Sequence, residues 1–315
     1  MTVTMLTAKS QMEAPNDAGA ELARRVSPET VIRRHEPLAK KTTLRVGGPA
    51  DWYIEPASED DLAMTLAFCR EQQLPFFLLG RGSNLLVKDA GFRGVAICLS
   101  RPFFSGVQVT GLRLRCGAGA RLKAVAVEAK RNGVSGLEFL EGIPGSVGGA
   151  LRMNAGAMGA ATFDMVESVR VMEHSGRIRE QAADEFSVSY RSCPEFKSRI
   201  ALSAVFRGHA GLRDAIERRM NEYSQKRWNT QPAAPSAGCM FKNPEACPAG
   251  KLIDELGLKG TRVGGAVVSA EHGNFIVNDG GATARDVLGL IETIRQKVRA
   301  ERGIEMQTEV EIIGE

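Results

Sequence analysis

Three glycine clusters in the first half of the chain are the first residues whose types and spacing suggest chemistry. They occupy residues 45–50 (RVGGPA), 80–85 (GRGSNL) and 142–150 (GIPGSVGGA), and MNAGA follows the third at 153–157. Glycine lacks a Cβ and adopts positive φ readily, so consecutive amide N–H groups in such loops can converge on an anion such as a diphosphate. One cluster alone is typical of a tight turn, but three clusters, two of them with Ser or Asn donors, indicate more than turns.

The common nucleotide-binding motifs do not describe these loops. The chain contains no GxxxxGK[ST] sequence, which argues against a P-loop. Gly117-Ala-Gly119 follows a predicted strand and precedes a predicted helix, as in a dinucleotide fingerprint, but Leu122 stands where the third glycine is required. We therefore interpret this segment as a turn.

The elements that must position these loops mix strands and helices without a regular βαβ repeat, which favours an α+β fold over a doubly wound parallel sheet. Alternation and apolar runs predict strands at residues 76–79, 112–116, 166–172, 200–206 and 309–313. Capping residues and apolar periodicity predict one helix that begins after Ser58, helices at 121–132 and 212–228, and one from Thr283 to Gly303. The polar segment at 208–211 is the predicted internal boundary.

Composition excludes several classes of protein. With 315 residues, of which 43% are hydrophobic and 25% charged, the chain is typical of a globular protein with two or three domains rather than a disordered one. No apolar run reaches the roughly 20 residues that span a bilayer. The net charge of 41 − 37 = +4, without a long basic run, gives no reason to expect a nucleic acid partner. Six cysteines form no CxxC pair and no zinc-spaced cluster with histidine, so we expect free thiols, no metal and a cytoplasmic protein.

Seven motifs occur in the order that is typical of one enzyme family. They are RVGGPA, GRGSNLLV, GLEFLEGIPGSVGGALRMNAGAMG, SYRSCP, SAGCMFKNP, GNFIVN and the terminal TEVEIIG. From about residue 40 to the C-terminus, the chain therefore resembles the UDP-N-acetylenolpyruvoylglucosamine reductase family, which makes UDP-N-acetylmuramate for peptidoglycan. The short stretch between Phe241 and the terminal helix is similar to the family's shorter, type II subclass, which lacks a tyrosine-bearing insert over the substrate.

The resemblance implies an FAD-binding domain of the vanillyl-alcohol-oxidase (PCMH) type and a smaller C-terminal α/β substrate-binding domain. The implied boundaries are a flexible extension at 1–25, an FAD-binding region at 26–209 that is split near residue 100, and a substrate domain at 210–315 whose last strand returns to the active site. The resemblance also implies that FAD is held non-covalently and that NADPH is the co-substrate. The residues implied to contact FAD are Arg45, Gly47, Gly48, Gly80, Gly82, Ser83, Asn84, Leu85, Gly142, Ile143, Pro144, Gly145, Gly148, Gly149, Asn154, Ala155, Gly156 and Ala157.

Reduction of an enol ether of pyruvate requires a hydride donor, a cation or hydrogen-bond donor at the substrate carboxylate, and an acid that protonates the carbanion. The resemblance implies that FAD supplies the hydride and that NADPH replenishes it. It assigns Arg191 to the carboxylate, because a guanidinium stays charged and can bind both oxygens in a fork. It assigns Glu309 to stabilising or protonating the enolate intermediate. Without the family, Arg191 is typical of a surface arginine, and Glu311 looks equivalent to Glu309 on an alternating strand.

Cys239 departs from the family pattern. In SAGCMFKNP it stands where AGSxFKNP has the serine that donates the proton. A thiol, with a reference pKa of about 8.5, is mostly protonated at neutral pH and is more acidic than an alcohol. Sulfur is larger, however, and a poorer hydrogen-bond donor, and a nearby cation such as Arg191 can leave an unproductive thiolate. Two interpretations follow: Cys239 is the working acid, which the intact neighbouring positions favour, or the role of the serine has been lost.

The remaining implied contacts belong to the substrate, a small UDP-sugar. Tyr190, Arg227, Lys242 and Asn243 are the candidates for gripping its diphosphate, sugar or carboxylate, although Lys226 fits almost as well as Arg227. We expect a monomer that binds neither nucleic acid nor membrane. Two other interpretations stay open: another flavin oxidoreductase of the same fold, or a flavin- or UDP-sugar-binding protein with impaired catalysis. The former often attaches FAD covalently through His or Cys, and residues 80–85 contain neither.

Overall fold

The computed structural model describes residues 18–315, which divide into two compact units. Of the described residues, unit 1 contains 18–34, Trp52–Gly80 and Gly94–Gln225, and unit 2 contains His35–Asp51, Arg81–Arg93 and Lys226–Glu315. The chain therefore passes from one unit to the other five times. This division differs from the predicted contiguous boundary at 209/210, because two N-terminal segments belong with the C-terminal region rather than with their neighbours in sequence.

The described residues form eight α-helices and nineteen strands. The helices are α1 (Ala18–Arg25), α2 (Glu59–Glu71), α3 (Pro102–Ser105), α4 (Leu122–Arg131), α5 (Val147–Met153), α6 (Arg213–Thr230), α7 (Ala249–Glu255) and α8 (Ala284–Arg302). The strands are β1 (Val31–Pro37), β2 (Pro49–Glu55), β3 (Phe76–Leu78), β4 (Leu85–Val87), β5 (Phe92–Ile97), β6 (Val107–Thr110), β7 (Arg113–Gly117), β8 (Val134–Ser135), β9 (Gly156–Ala157), β10 (Ala160–Ala161), β11 (Val166–Glu173), β12 (Ile178–Ala182), β13 (Arg199–Arg207), β14 (His209–Ala210), β15 (Ser236–Cys239), β16 (Arg262–Val263), β17 (Ala266–Val268), β18 (Phe275–Asn278) and β19 (Glu311–Ile313).

Unit 1 is built around a five-stranded antiparallel sheet with the order β12-β11-β13-β7-β6. Strands β7, β11 and β13 each lie within one residue of their predicted bounds. The short strand β14 pairs with β8, with Ala210 opposite Val134, and both belong to unit 1. The polar segment at 208–211 is therefore part of this unit and not the boundary that its composition indicated.

Helix α1 occupies the end of the segment that was expected to be a flexible extension. Its Leu22 is only 1% exposed and belongs to the hydrophobic core of unit 1. Just after the helix, the N–H and Oγ of Ser27 donate to the carboxylate of Asp61 at 2.8 and 2.7 Å. Residues 18–25 are thus folded, because Leu22 on α1 packs into the core. Residues 1–17 lie outside the described residues.

Unit 2 combines the antiparallel sheet β15-β18-β17-β16 with a parallel pair, β4 and β19, and with helices α7 and α8. Helix α8 begins at the predicted cap: Thr283 Oγ1 accepts from the Asp286 N–H at 3.1 Å, and the Asp286 carboxylate accepts from the Thr283 N–H at 2.9 Å. It ends at Gly303, whose φ of +66° is left-handed. The core that this helix covers also contains Leu44, Val46 and Leu86, which explains why the two N-terminal segments belong to unit 2.

These sheets, largely antiparallel, and the unevenly distributed helices confirm the α+β class. Among residues 18–315, no helix has the length and apolarity needed to cross a membrane, and no group of His, Cys, Asp and Glu side chains is arranged to hold a metal ion. All six cysteines are free thiols.

Candidate active site

In unit 2, residues 81–85 of the second glycine cluster lie against the segment that precedes the first cluster. The N–H of Thr43 donates to the carbonyl of Gly82 at 3.2 Å. Gly82 has a φ of +62°, and a Cβ at this position would lie 2.4 Å from the carbonyl oxygen of Lys41. Glycine meets both demands, because the left-handed conformation disfavours a side chain and the close approach leaves no room for one. The resulting tight loop leads directly into the buried strand β4.

The turn at residues 81–84 presents backbone donors. Within residues 18–315, the amide N–H groups of Arg81, Gly82, Ser83 and Asn84 donate to no protein acceptor. Consecutive N–H groups next to a left-handed glycine form a concave site for an anion. The turn therefore fits the diphosphate of FAD, whereas Leu85, also an expected contact, is buried in β4.

The first cluster is shaped by packing inside unit 2. A Cβ on Gly47 would lie 2.6 Å from the Cβ of Val87, and one on Gly48 would lie 2.3 Å from the carbonyl oxygen of Asp89. Both glycines therefore allow backbone segments to approach each other. Arg45 differs from them, because it is exposed and holds a left-handed φ of +59°.

In unit 1, the third cluster is hydrogen-bonded to residues 117–120, which contain the Gly-Ala-Gly sequence that we interpreted as a turn. The N–H of Val147 donates to the carbonyl of Ala120 at 2.9 Å, and the N–H of Gly148 donates to that of Ala118 at 2.7 Å. These two N–H groups at the start of α5 are thus used inside the protein and do not converge on an anion. The turn interpretation overlooked this supporting role.

Some glycines of the third cluster, and Gly80 of the second, leave space beside the backbone that a cofactor could occupy. Within residues 18–315, no atom outside the adjacent residues lies within 4 Å of the place where a Cβ on Gly142 would be. In the same part of the chain, Gly149 and Gly80 each have only Ser146 Oγ near that place, at 3.6 and 2.9 Å. A ring or a diphosphate can therefore approach the backbone at these positions. The other predicted residues of this cluster are half-buried or exposed: Ile143, Pro144 and Gly145.

The MNAGA segment ends α5 and leads toward a hairpin. Asn154 terminates the helix with a left-handed φ of +38°. Its Oδ1 accepts from the N–H of Phe163 at 3.1 Å, and its Nδ2 donates to the carbonyl of Ser189 at 3.4 Å. The amide of Asn154 thus ties three backbone segments together. The three predicted contacts that follow it are half-buried: Ala155, Gly156 and Ala157.

Tyr190 and Arg191 form the two-residue loop of a separate hairpin, closed by Ser189 and Ser192. Ser189 and Ser192 exchange both backbone hydrogen bonds, at 2.9 and 3.2 Å. Arg191 holds a left-handed φ of +56°, which costs an L-residue roughly 1–2 kcal/mol, and its Nη1 donates to the carbonyl of Gly156 at 3.4 Å. Tyr190 is 58% exposed, with its ring centroid 5.5 Å from Arg191 Cζ. Arg191 thus keeps a long charged side chain at a backbone conformation that favours glycine.

One carboxylate holds the two ends of the loop that carries this hairpin. Glu195 Oε1 accepts from the N–H of Ser187 at 2.8 Å, and Oε2 accepts from the thiol of Cys193 at 3.4 Å. Burial alone would raise the pKa of Glu195, but hydrogen bonds from residues such as Ser187 outweigh it and lower the pKa. Burial and the neighbouring carboxylate raise the pKa of Cys193 to about 12, so its thiol stays a protonated donor at neutral pH.

Cys239 follows a β-bulge in unit 2. The register with β18 shifts between Ser236 and Cys239, so that Ala237 and Gly238 together oppose Ile276. Gly238 has the left-handed φ of +75° that such a bulge uses. A bulge bends its strand and changes the direction of the side chains after it. Cys239, the next residue, is half-buried and is a free thiol.

Glu309 lies beside the same strand. Its N–H donates to the carbonyl of Met240 at 2.8 Å, and its carbonyl accepts from Asn84 Nδ2 at 3.1 Å. Strand β19 begins two residues later than predicted, at Glu311, whose N–H donates to the carbonyl of Asn84 at 3.2 Å. Glu311 is thus part of the parallel ladder. Glu309 precedes the ladder, and its N–H is bonded to the carbonyl of Met240, the residue that follows Cys239. The two acids are therefore not equivalent.

Three of the four predicted substrate contacts lie in unit 2. Arg227 belongs to α6, where its Nε donates to Gln231 Oε1 at 3.2 Å. Lys242 is half-buried. Asn243 is exposed, but its Oδ1 accepts from the N–H of Ala249 at 3.0 Å, at the start of α7. The amide oxygen of Asn243 thus has a structural use that the sequence did not indicate.

Asn274, to which the sequence alone assigns no role, is only 2% exposed. Its Oδ1 accepts from the N–H of Phe241 at 2.9 Å, and its Nδ2 donates to the carbonyl of Phe241 at 2.8 Å. The available signal was a polar residue placed directly before the apolar strand Phe275–Asn278. A polar residue at the edge of a buried strand needs hydrogen-bond partners, but the sequence does not name them.

Two family models match the chain in successive regions. One, described as an FAD binding domain, covers residues 50–181; the other, the C-terminal domain of UDP-N-acetylenolpyruvoylglucosamine reductase, covers residues 231–313. The chain is 46% identical over 285 residues to UDP-N-acetylenolpyruvoylglucosamine reductase of Heliobacterium modesticaldum, with 90% of each chain covered. It is 44% identical over 284 residues to that of Geotalea uraniireducens, covering 90% of this chain and 94% of the relative.

A solved structure agrees with these relatives. The crystal structure of UDP-N-acetylenolpyruvylglucosamine reductase from Thermus caldophilus is similar with a TM-score of 0.77 and 38% identity, covering 91% of this chain and 99% of that one. The predicted fold, a PCMH-type FAD-binding domain followed by a smaller C-terminal domain, is confirmed, and so is FAD as the cofactor. On this identity and coverage, the chain belongs to the UDP-N-acetylenolpyruvoylglucosamine reductase family and is an FAD-dependent oxidoreductase.

Proposed function

We propose that this protein uses NADPH to reduce UDP-N-acetylglucosamine enolpyruvate to UDP-N-acetylmuramate, a step in the synthesis of peptidoglycan precursors. FAD, when bound, supplies the hydride chemistry, which no amino-acid side chain provides. Membership of the family supports the reaction class, and the backbone surfaces of the glycine clusters support the cofactor. No histidine or cysteine in residues 80–85 offers a covalent link, which supports non-covalent binding.

The residues that would hold FAD fall into two groups by their chemistry. The N–H groups of residues 81–84 would bind the diphosphate, because they are aligned in one turn and donate to no protein acceptor among the described residues. Gly80, Gly142 and Gly149 would allow close approach, because they have open space or only Ser146 Oγ on the side-chain face. The packing of Gly47 and Gly48 makes their contribution indirect, through the shape of the loop.

Arg191 would bind the carboxylate of the enolpyruvate. Negative charge builds up on this group and on the adjacent carbon during reduction, so a fixed cation is worth more in the transition state than in the bound substrate. The hairpin between Ser189 and Ser192 and the bond to the carbonyl of Gly156 hold the arginine backbone and side chain in place. Tyr190, Arg227, Lys242 and Asn243 would contact the rest of the UDP-sugar, and Tyr190 is exposed as such a contact requires.

Cys239 would donate the proton to the carbanion. The observation that carries this assignment is the position of Cys239 directly after the Gly238 bulge and next to Met240, whose carbonyl accepts from the N–H of Glu309. The backbones of the two residues with the assigned acid and carboxyl roles thereby lie close together in unit 2. At neutral pH a thiol of ordinary acidity is mostly protonated, so it can act as an acid without further activation. Glu309 would stabilise or protonate the enolate, and for either role it has to carry a proton.

An anaerobic absorbance titration tests this function. NADPH is added to the purified FAD-loaded protein until the flavin absorbance is bleached, and UDP-N-acetylglucosamine enolpyruvate is then added. We expect bleaching followed by stoichiometric return of the oxidised spectrum. Bleaching without return identifies a flavin- or UDP-sugar-binding protein with impaired catalysis, and failure to take up FAD contradicts the proposal altogether. The monomeric state and the cytoplasmic location stay predictions; six free thiols support a reducing compartment.

A further inference from the structure

We propose that Asn274 is a positioning residue that fixes the direction of the proposed acid, Cys239. This inference rests on the proposed function, since it assigns the acid to Cys239. Asn274 does not touch the reacting atoms. It acts on the peptide units that follow the cysteine, and all of these residues belong to unit 2.

The side chain of Asn274 continues the β-ladder at the point where the backbone stops. Cys239 pairs with Phe275, and the N–H of Met240 donates to the carbonyl of Asn274 at 2.8 Å. Beyond Asn274 the chain turns away, and the N–H of Asn274 donates to Nδ1 of His272 at 3.2 Å. The next residue on the facing strand, Phe241, would then lack its ladder partners. The amide of Asn274 supplies both: Oδ1 accepts from the Phe241 N–H at 2.9 Å, and Nδ2 donates to the Phe241 carbonyl at 2.8 Å.

The opposite edge of the same strand is held as well. The carbonyl of Met240 accepts from the N–H of Glu309 at 2.8 Å, and the N–H of Lys242 donates to the carbonyl of Gln307 at 2.9 Å. The segment after Cys239 is therefore bonded on one side to Asn274 and on the other to residues 307–309. Both the proposed acid and Glu309 take their backbone positions from this segment.

We call the two side-chain hydrogen bonds from Asn274 to Phe241 the clamp. The position of Cys239 depends on this clamp more than the position of an ordinary strand residue depends on any one pair of hydrogen bonds. The bulge at Gly238 interrupts the ladder on the N-terminal side of Cys239, so the regular pairing there does not hold it. The bonds of Asn274 provide the fixed point on the C-terminal side. Because a misplacement of about 1 Å can reduce a rate about 100-fold, loss of this fixed point should slow proton donation more than it affects the fold.

The test compares two variants with a matched control in the FAD-loaded protein. Asn274→Ala removes both side-chain bonds to Phe241, and Asn274→Asp keeps the size and the acceptor but loses the Nδ2 donor. Thr283→Ala is the control, because it removes a cap of α8 in the same unit, at a cost of about 1 kcal/mol, without touching the strand of Cys239. Stopped-flow absorbance measures flavin reduction by NADPH and flavin reoxidation by the enolpyruvate separately.

We expect Asn274→Ala to slow reoxidation about 100-fold and Asn274→Asp to slow it less, while flavin reduction by NADPH stays at the wild-type rate in both. The control should leave both rates unchanged. A second readout needs no turnover: the rate of iodoacetamide alkylation at Cys239, followed by peptide mass spectrometry, should rise in the Asn274 variants, with Cys98 of unit 1 as the internal reference.

The outcomes separate the inference from the proposed function. If the wild-type flavin is not reoxidised by the enolpyruvate, the proposed function fails, and the alkylation rates alone judge the clamp. Wild-type reoxidation and alkylation rates in Asn274→Ala would overturn the inference while leaving the function intact. If neither variant folds, amide hydrogen exchange of the wild-type protein decides: exchange of the Phe241 N–H as slow as that of β18 supports the clamp, and exchange as fast as that of an exposed loop overturns it.

Discussion

At the scale of single residues, Cys239 is the position most important for catalysis, because a thiol there replaces the alcohol of the family's serine and is more acidic. We expect Cys239→Ala to slow flavin reoxidation by the enolpyruvate about 100-fold or more, because general acid catalysis contributes about that much. Cys239→Ser should retain most of the rate, since a hydroxyl in the same place can donate a proton. Flavin reduction by NADPH should be unchanged in both variants. Stopped-flow absorbance measures the two half-reactions.

Another cysteine provides the control for this prediction. Cys247→Ala, at a half-buried position outside the proposed site, should leave both half-reactions unchanged. Alkylation gives an independent check, because burial raises the pKa of Cys69 and of Cys116 to about 12, which keeps both thiols unreactive at neutral pH. Iodoacetamide should therefore abolish reoxidation while leaving reduction intact. Full turnover by Cys239→Ala rules out Cys239 as the acid.

The carboxylate of Glu195 is the second residue whose removal should change catalysis, although it lies outside the predicted site. It bonds to both Ser187 and Cys193, at the two ends of the loop that carries Arg191. We expect Glu195→Ala to raise the KM for the enolpyruvate about tenfold or more, because a hydrogen bond to a charged group is worth about 1.5–3 kcal/mol and its loss frees the arginine loop. Steady-state kinetics at saturating NADPH measures the KM.

Glu185 is the matched control for this variant. Its Oε1 accepts from the N–H of Ala182 at 2.8 Å, so it caps a turn of the same unit in the same way without contacting the hairpin. Glu185→Ala should leave the KM for the enolpyruvate at the wild-type value. Equal effects of the two substitutions would show that loss of any such cap disturbs the unit, and that Glu195 has no special relation to Arg191.

At the scale of elements, the glycine loops divide into those that face protein and those that face open space. Gly82→Ala places a Cβ 2.4 Å from the Lys41 carbonyl at a φ of +62°. We expect it to lower the free energy of unfolding by at least about 1–2 kcal/mol and to weaken FAD binding. Gly142→Ala meets no atom within 4 Å in the part of the chain that the structure describes, so it should weaken FAD binding without lowering the stability of the FAD-free protein.

Urea unfolding of the FAD-free protein and titration with FAD measure the two effects. Gly111→Ala separates strain from contact, because Gly111 has a left-handed φ of +59° but no protein atom near its Cβ position. It should cost stability without changing FAD affinity. Unchanged FAD affinity in Gly142→Ala would contradict the assignment of the third cluster to the cofactor.

At the scale of the whole molecule, stability should fall in acid, and Asp61 is one identifiable cause. Burial alone would raise the pKa of Asp61, but hydrogen bonds from the N–H and Oγ of Ser27 outweigh it, so the folded-state pKa lies below the ordinary value. The stability that this carboxylate contributes is therefore fully present above the unfolded pKa of about 3.9, and it is lost as the pH falls through the lower folded pKa.

Asp61→Asn tests this contribution. We expect it to lower the free energy of unfolding at neutral pH and to have a smaller effect at about pH 2, because that pH lies below the unfolded pKa of about 3.9 and protonation of the wild-type carboxyl then favours the unfolded state. Urea unfolding at the two pH values gives the difference. Asp184→Asn, an exposed residue of the same unit, should have no such effect. An Asp61→Asn effect that does not change with pH would contradict the mechanism.

The sequence by itself determined the features that depend on a few adjacent residues. Thr283 and Asp286 cap α8, and Gly303 ends it, because capping joins groups within one helical turn. Strands β7, β11 and β13 followed from local alternation. The motifs, which are local strings of residues, were enough to indicate the family and the cofactor. They also identified Cys239 as a departure, since that requires only a comparison of residue types.

Only the tertiary structure decided which residues meet across long stretches of chain. It set Gly82 against Lys41 but left Gly142 open, assigned residues 35–51 and 81–93 to the C-terminal unit, and placed the amide of Asn274 on the backbone of Phe241. It also distinguished Glu309 from Glu311 by where the ladder begins. The physical reason is the same in each case. A hydrogen bond or a close backbone approach depends on a partner that the local sequence does not specify, and that partner is fixed only when the whole core packs.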